Sequence, residues 1–418
     1  MLRRTIPRVT IALVAAIGLT FGATPALGAD GDLDSSFGDG GQLTTDFPVG
    51  SFATAVAVQA DGKIVAVGAA AGASIDGEFA VARYEPDGDL DGTFGDGGTV
   101  VTPIAGGNGD EARSVAIQGN GRIVVAGTDS WRKFAVVRYR SNGALDASFG
   151  GDGIVRTNFS PADDVAWDMA IQDDGRIVAV GAAGYGQRGF EIARYRRNGH
   201  LDDSFGDSGK VVTKYLGANA RAVVIQPNDR IVVADYNSHG LALARYLPDG
   251  RLDGSFGRKG TIGPDVPPIF ALAVSRQPDG RIVVGGDFDI FAFGLARFRR
   301  DGRLDRSFGG DGVVREEVEG AEQGASGIVI QPNGRIVATG SSGPHEFGDP
   351  TIPRFVLIRR LAGGRRDTSF GVNGEVTTFF EGGARAHGSA VDADGRIVVV
   401  GGSGEGTIGS FALARYLV

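Results

Sequence analysis

The 418-residue chain contains no cysteine. There is therefore no disulfide, no thiol nucleophile and no cysteine for a lipid at a cleavage site, and stability has to come from a large core. Histidine occurs four times and tryptophan twice, without the spacing of a zinc site. No phosphate loop, nucleophile elbow or nucleotide fingerprint is present. Long apolar runs are also missing: Val9 to Phe21 is shorter than the roughly 20 residues that span a bilayer. Positive charge is the minority, with 42 Lys and Arg against 50 Asp and Glu and a net charge of −8. That balance opposes nucleic acid and anionic membranes as partners.

Glycine is abundant instead, at 70 residues, with no G-X-Y period and too much Val and Ile for a disordered chain. Short strands joined by tight turns fit this mixture, because glycine supplies the positive φ such turns need. The first 29 residues differ in character. Arg3, Arg4 and Arg8 form a basic start, Val9 to Phe21 an apolar run, and Ala23 to Ala29 a small-residue tail. This order reads as a secretory signal peptide over residues 1–29, cleaved after Ala29 or Ala26, with no membrane insertion of the mature chain. The remainder, 30–418, would carry about −11 and be secreted, extracellular or bound to the cell envelope.

Three strings recur in fixed order, seven times each, at intervals of about 55 residues, in the range of propeller blades. Leu-Asp-x-Ser/Thr-Phe-Gly starts at Leu33, Leu90, Leu145, Leu201, Leu252 and Leu304, and at Arg366 with Arg for Leu. Asp/Asn-Gly-Lys/Arg-Ile-Val starts at Asp61, Asn120, Asp174, Asn228, Asp279, Asn333 and Asp394, with Asp229 once in place of Gly. An aromatic-x-x-x-Arg-Tyr string starts at Phe79, Phe134, Phe190, Leu241, Phe293, Phe355 and Phe411 in its fuller and weaker forms.

Each unit reads as four strands: in the first, Ala55 to Gln59, Lys63 to Val67, Phe79 to Tyr84 and Thr99 to Ile104. The Asp-Gly and Asn-Gly pairs mark hairpins between β-branched runs. The chain ends on a third strand, Phe411 to Val418, while Gln42 to Phe47 supplies a fourth near the start. The expectation is an all-β, seven-bladed propeller of four-stranded antiparallel blades, its N-terminal strand completing the last blade and leaving no open edge. A β-solenoid competes, but the unit is long for one coil.

On these strings, from Asp30 to Val418, the chain resembles the delta-60 repeat proteins, bacterial propellers, and its strand order is similar to that of NHL-repeat propellers. The resemblance implies the fold and no particular activity.

The recurring Asp34, Asp91, Asp146, Asp202, Asp253, Asp305 and Asp367, with Arg83, Arg138, Arg194, Arg245, Arg297, Arg359 and Arg415, read as structural. Catalysis does not need seven copies, whereas a turn-capping Asp and an Arg satisfying it would be repeated. Asp87-Gly-Asp89-Leu-Asp91-Gly92 opens like a calcium loop but has Gly98 where the last acceptor belongs, so the turn reading is preferred and no cofactor is expected.

Function is expected where repeats differ. The loops after second and fourth strands share one face and vary most. They carry Trp131, Tyr185, Tyr236 and Phe288, with acids such as Asp110, Glu111 and Asp164, suiting a carbohydrate or a cationic partner. His239, His345 and His387 fall in the same loops and could serve a metal or general-base site. Arg276 stands where other first strands place Ile or Val, marking either a ligand group or a shifted register. The preferred reading is a secreted, monomeric, non-enzymatic propeller that binds an extracellular polysaccharide, an envelope component or a protein. The alternatives are a secreted hydrolase or lyase with a His/carboxylate site at the central opening, and a plain scaffold.

Overall fold

β-branched runs separated by Gly-containing turns fold here into seven four-stranded antiparallel sheets, each of strands consecutive in the chain except the last. The computed structural model describes residues 28–418 apart from 72–76, 105–108, 130–132, 161–163, 184–188, 215–218, 238–239, 264–268, 289–291, 319–320, 344–351 and 405–408. In the first blade the strands are Ser51–Val58, Ile64–Ala71, Gly77–Tyr84 and Thr99–Thr102. The innermost strand thus begins four residues earlier than its sequence pattern suggests. In the last blade, Ala384–Val391, Ile397–Ser403 and Ser410–Tyr416 are joined by Gln42–Thr45, with Gln42 opposite Ala414 and Thr45 opposite Phe411.

The core lies between blades rather than within them, because each sheet has two apolar faces. Val65, Val67, Phe79 and Val81 of the first blade pack on Ala112, Ile123, Val125 and Val137 of the second. Val398, Val400 and Leu413 of the seventh pack on Ala53, Ile64 and Ala66 of the first. One 3-10 turn, Pro227–Asp229, is the helical element among the described residues, and no helix there is long and apolar enough to cross a membrane.

The three recurring strings meet in one knot per blade. The string Arg donates Nε to the string Asp at 2.7 to 3.0 Å in all seven blades, from Arg83–Asp91 through Arg415–Asp34. The same guanidinium lies 4.5 to 4.7 Å from the centroid of the string Phe. The basic residue of the hairpin string reaches the same carboxylate, as Lys63 does at Asp91 and Arg122 at Asp146. Asp91 also accepts from Thr93 N and Oγ1, so the third carboxylate of the calcium-like loop is engaged inside the blade.

Each knot also staples the next blade: Arg83 donates to the Ser141 carbonyl, Arg138 to that of Arg197, and Arg415 of the last blade to that of Pro86 in the first. A buried, shared ion pair of this kind is costly to break from one side, by about 3–5 kcal/mol.

Candidate functional site at the channel mouth

A cavity of about 550 Å³ occupies the central channel, lined by the inner strands of all seven blades. Three successive residues of each inner strand line it, and the first of them varies most from blade to blade. A fully buried or nearly buried Ala (Ala53, Ala112, Ala166, Ala220, Ala271, Ala325, Ala386) precedes the Ile of each hairpin string by the same interval. The residue after that Ala lines the cavity in every blade: Thr54, Arg113, Trp167, Arg221, Leu272, Ser326 and His387.

In five blades this residue is the extra one of a register shift, as between Ala53 and Ala55 or Ala166 and Asp168. Bulges re-aim side chains in this way. The facing glycine of the second strand permits the bulge, since a Cβ on Gly127 would lie 2.0 Å from the Glu111 carbonyl oxygen and one on Gly181 1.8 Å from that of Val165.

The fourth blade breaks the pattern at that facing position with Asp235, where six blades have glycine. Its inner strand starts only at Ala222, Ala220 takes φ 55°, and Asn219 N donates to the Asp235 carboxylate. Arg221 is set down beside this carboxylate, with Nε 3.7 Å from its Oδ1.

The ring has two different walls. Across blades six, seven and one, each polar residue bonds the carbonyl of the next blade's buried Ala: Ser326 Oγ to Ala386 at 3.1 Å, His387 Nδ1 to Ala53 at 2.8 Å, and Thr54 Oγ1 to Ala112 at 2.7 Å. His387 thus makes the bridge that a Ser and a Thr make beside it. Burial, reinforced by Arg385 and Arg113 and opposed by the Ala53 carbonyl, holds its imidazole below the usual range.

Across blades two to four, guanidinium and indole groups stack. Arg113 and Arg221 lie 4.1 and 4.7 Å from the Trp167 ring, and Arg221 lies 5.4 Å from that of Tyr236, which meets Phe270 edge-on at 5.0 Å. Glu111 pairs with Arg113 at 2.7 Å, and burial pushes its carboxyl up against that pairing. Asp168 accepts from Met169 N, Ser114 Oγ and Val223 N at 2.7 to 2.8 Å, linking three blades. Burial outweighs those bonds and raises its pKa to about 6, as it does for Asp235. Phe52 and Phe270, at the channel mouth, are more than a third exposed.

Of the residues singled out from the sequence, His387 and Glu111 line this cavity, and half-buried Tyr236 stacks at its edge. Phe288 does not offer its ring: it is buried in the core with Arg315 stacked 3.6 Å from it, because the second strand extends through it. Asp110 and Asp164 accept loop amides, from Ile104 and Phe159, at 2.7 Å. Arg276 keeps the ordinary register, opposite Ile282, and lies at the other end of the channel, so no register shift explains it. Trp131, Tyr185, His239 and His345 lie outside the described residues. Trp167, Arg113 and Arg221 were not anticipated, although the constant interval from the buried Ala to the Ile, with one changing residue after it, carries their signal.

Four segments, residues 59–94, 118–149, 172–205 and 277–308, match a family described as "Domain of unknown function (DUF5122) beta-propeller". These segments hold the recurring strings of the first, second, third and fifth blades, and the chain is a propeller-repeat protein. No curated protein matches the sequence. Among solved structures, an inactive variant of virginiamycin B lyase from Staphylococcus aureus with quinupristin is similar, with a TM-score of 0.54 at 9% identity over 90% of this chain and 99% of that one. A fungal alcohol oxidase with copper gives 0.51 at 15% identity over 90% of this chain and 75% of that one. At these identities the likeness is one of fold.

Proposed function

We propose that this chain is an exported, non-enzymatic binding protein of the delta-60 repeat type, and that its ligand seats at the channel mouth on the variable-loop face. One observation carries the reading: seven blades repeat their knots with little change, yet at one equivalent position that faces the channel they carry Thr, Arg, Trp, Arg, Leu, Ser and His. A scaffold needs no such diversity at an equivalent position, whereas a recognition surface does.

A polysaccharide suits the chemistry. Exposed Phe52 and Phe270 offer apolar faces, and the guanidinium groups of Arg113 and Arg221 offer directed donors for hydroxyl or carboxylate oxygens. Screening envelope polysaccharides by calorimetry against the parent and a Trp167→Ala, Arg221→Ala double variant tests this. The expected result is at least a roughly tenfold loss of affinity, as for removal of a central anchor. Equal binding by the two proteins would place the ligand elsewhere.

A hydrolase or lyase centred on His387 is the competing reading. Turnover of a bound polysaccharide that disappears in His387→Ala, while binding persists, would favour it.

A further inference from the structure

At the opposite end of the channel, a cavity of about 350 Å³ opens between the fourth and fifth blades, and four arginines line it with no carboxylate: Arg230, Arg245, Arg276 and Arg300. This occurs in a chain of net charge −8. Two of the four are committed. Arg245 and Arg230 share Asp253, at 2.8 and 2.9 Å, so one negative charge serves two guanidinium groups. Arg300 spends Nε on the Asp279 carbonyl, a neutral partner. The Arg276 guanidinium has no hydrogen-bond or ion-pair partner among the described residues, although the residue is half-buried.

Two departures from the hairpin region of the repeat meet at this cavity. Arg276 replaces the Val58, Ile117, Ile171, Ile225, Ile330 or Val391 of the other inner strands, at the same register. The turn whose Pro227 and Asn228 form part of the wall is the one with Asp229 in the glycine position, at φ 58°. The corresponding cavity between the seventh, first and second blades is lined by Val58, Ile117 and Val391 and includes Asp61 and Asp392. An uncompensated guanidinium in a half-buried cleft is expensive unless an anion joins it.

We infer that this cleft binds a tetrahedral oxyanion, a phosphate or sulfate group, held by Arg276 with Arg300. Planar guanidinium forks match such oxygens in pairs. The site is independent of the channel mouth.

The test is calorimetric titration of the full chain with inorganic phosphate and with sulfate at constant ionic strength. The comparison variants are Arg276→Ile, Arg300→Ala and, as a control, Arg306→Ala, an exposed arginine outside the cleft. Arg276→Ile restores what other blades carry, so its thermal midpoint should not fall. Saturable binding is expected in the parent, unchanged in Arg306→Ala and weakened about tenfold or more in the other two. No saturable binding by the parent, or equal binding in Arg276→Ile, overturns the site. Dextran sulfate distinguishes the source: Arg276-dependent binding tighter than that of free sulfate assigns a polymer-borne group, and binding no tighter assigns the free ion.

Discussion

Glu191 shows how a single residue can work against its surroundings. The third strands of the other blades place Ala80, Ala135, Ala242, Gly294, Val356 or Ala412 there, all small or apolar, between two packed sheets. Burial, with Asp164 adding its charge and Lys210 opposing, raises the Glu191 carboxyl to about 8, and its Oε2 finds no hydrogen-bond donor among the described residues. The unfolded carboxyl ionises near 4.5. Between these values the folded state holds a proton that the unfolded state has released, so stability falls as pH rises from about 4.5 to about 8. Glu191→Gln should therefore stabilise the protein by on the order of 3 kcal/mol at pH 7.5, with the gain vanishing near pH 4.5. Denaturant titrations at the two pH values check this; a gain independent of pH would show that ionisation is not the cause. The opposite case is the contact between the fifth and sixth blades, where Arg360 of the sixth stands at the position of Tyr84 and Glu316 of the fifth at that of Thr102, and the two pair where five other contacts between blades use a Tyr–Thr hydrogen bond.

At the scale of the strand, the bulge decides what the channel displays. The facing glycine is what lets the inner strand kink inward, since its missing Cβ makes room for a carbonyl oxygen. Gly127→Ala would set a Cβ 2.0 Å from the Glu111 oxygen and 2.8 Å from the Phe79 ring. A loss of about 2–4 kcal/mol is expected, from overpacking and a displaced backbone. Because Arg113 is aimed by that bulge, quenching of tryptophan fluorescence by a soluble agent should change as well. A stability loss below about 0.5 kcal/mol would mean that the strand accommodates the methyl group and that the bulge has another origin. The fourth blade indicates how accommodation proceeds: Asp235 replaces the glycine, and the strand shortens to Ala222–Ile225.

At the scale of the whole molecule, the ring depends on contacts between distant parts of the chain. Asp34 receives Arg415, Leu33 bridges to Tyr416, and Gln42–Thr45 pairs with the last strand. Removing residues 30–46 would leave Arg415 without its carboxylate and expose the edge of Ser410–Tyr416. The thermal midpoint should fall by about 10 °C or more, with self-association through the bared edge. Scanning calorimetry and light scattering on the truncated chain read both effects, and an unchanged midpoint would remove this strand from the ring's stability.

The chain's own sequence determined the seven blades, because each knot is assembled from residues spelled out in the three strings and from turns that only Gly or Asn and Asp enter easily. The roles of Asp91 and Arg83 were legible for the same reason: their partners lie within one repeat, and the pattern recurs. The channel mouth was not legible. Trp167, Arg113 and Arg221 are far apart in the chain, and their convergence depends on ring closure and on bulges that hide the strand's alternation. Phe288 looked like a loop aromatic because nothing local told how far the second strand would run before its ring turned into the core. Arg276 was visible as an exception, but its meaning depended on register and on which other arginines share its cleft. Local chemistry sets the repeat, while the identity of each channel and cleft is set by side chains that meet only when seven sheets pack around one axis.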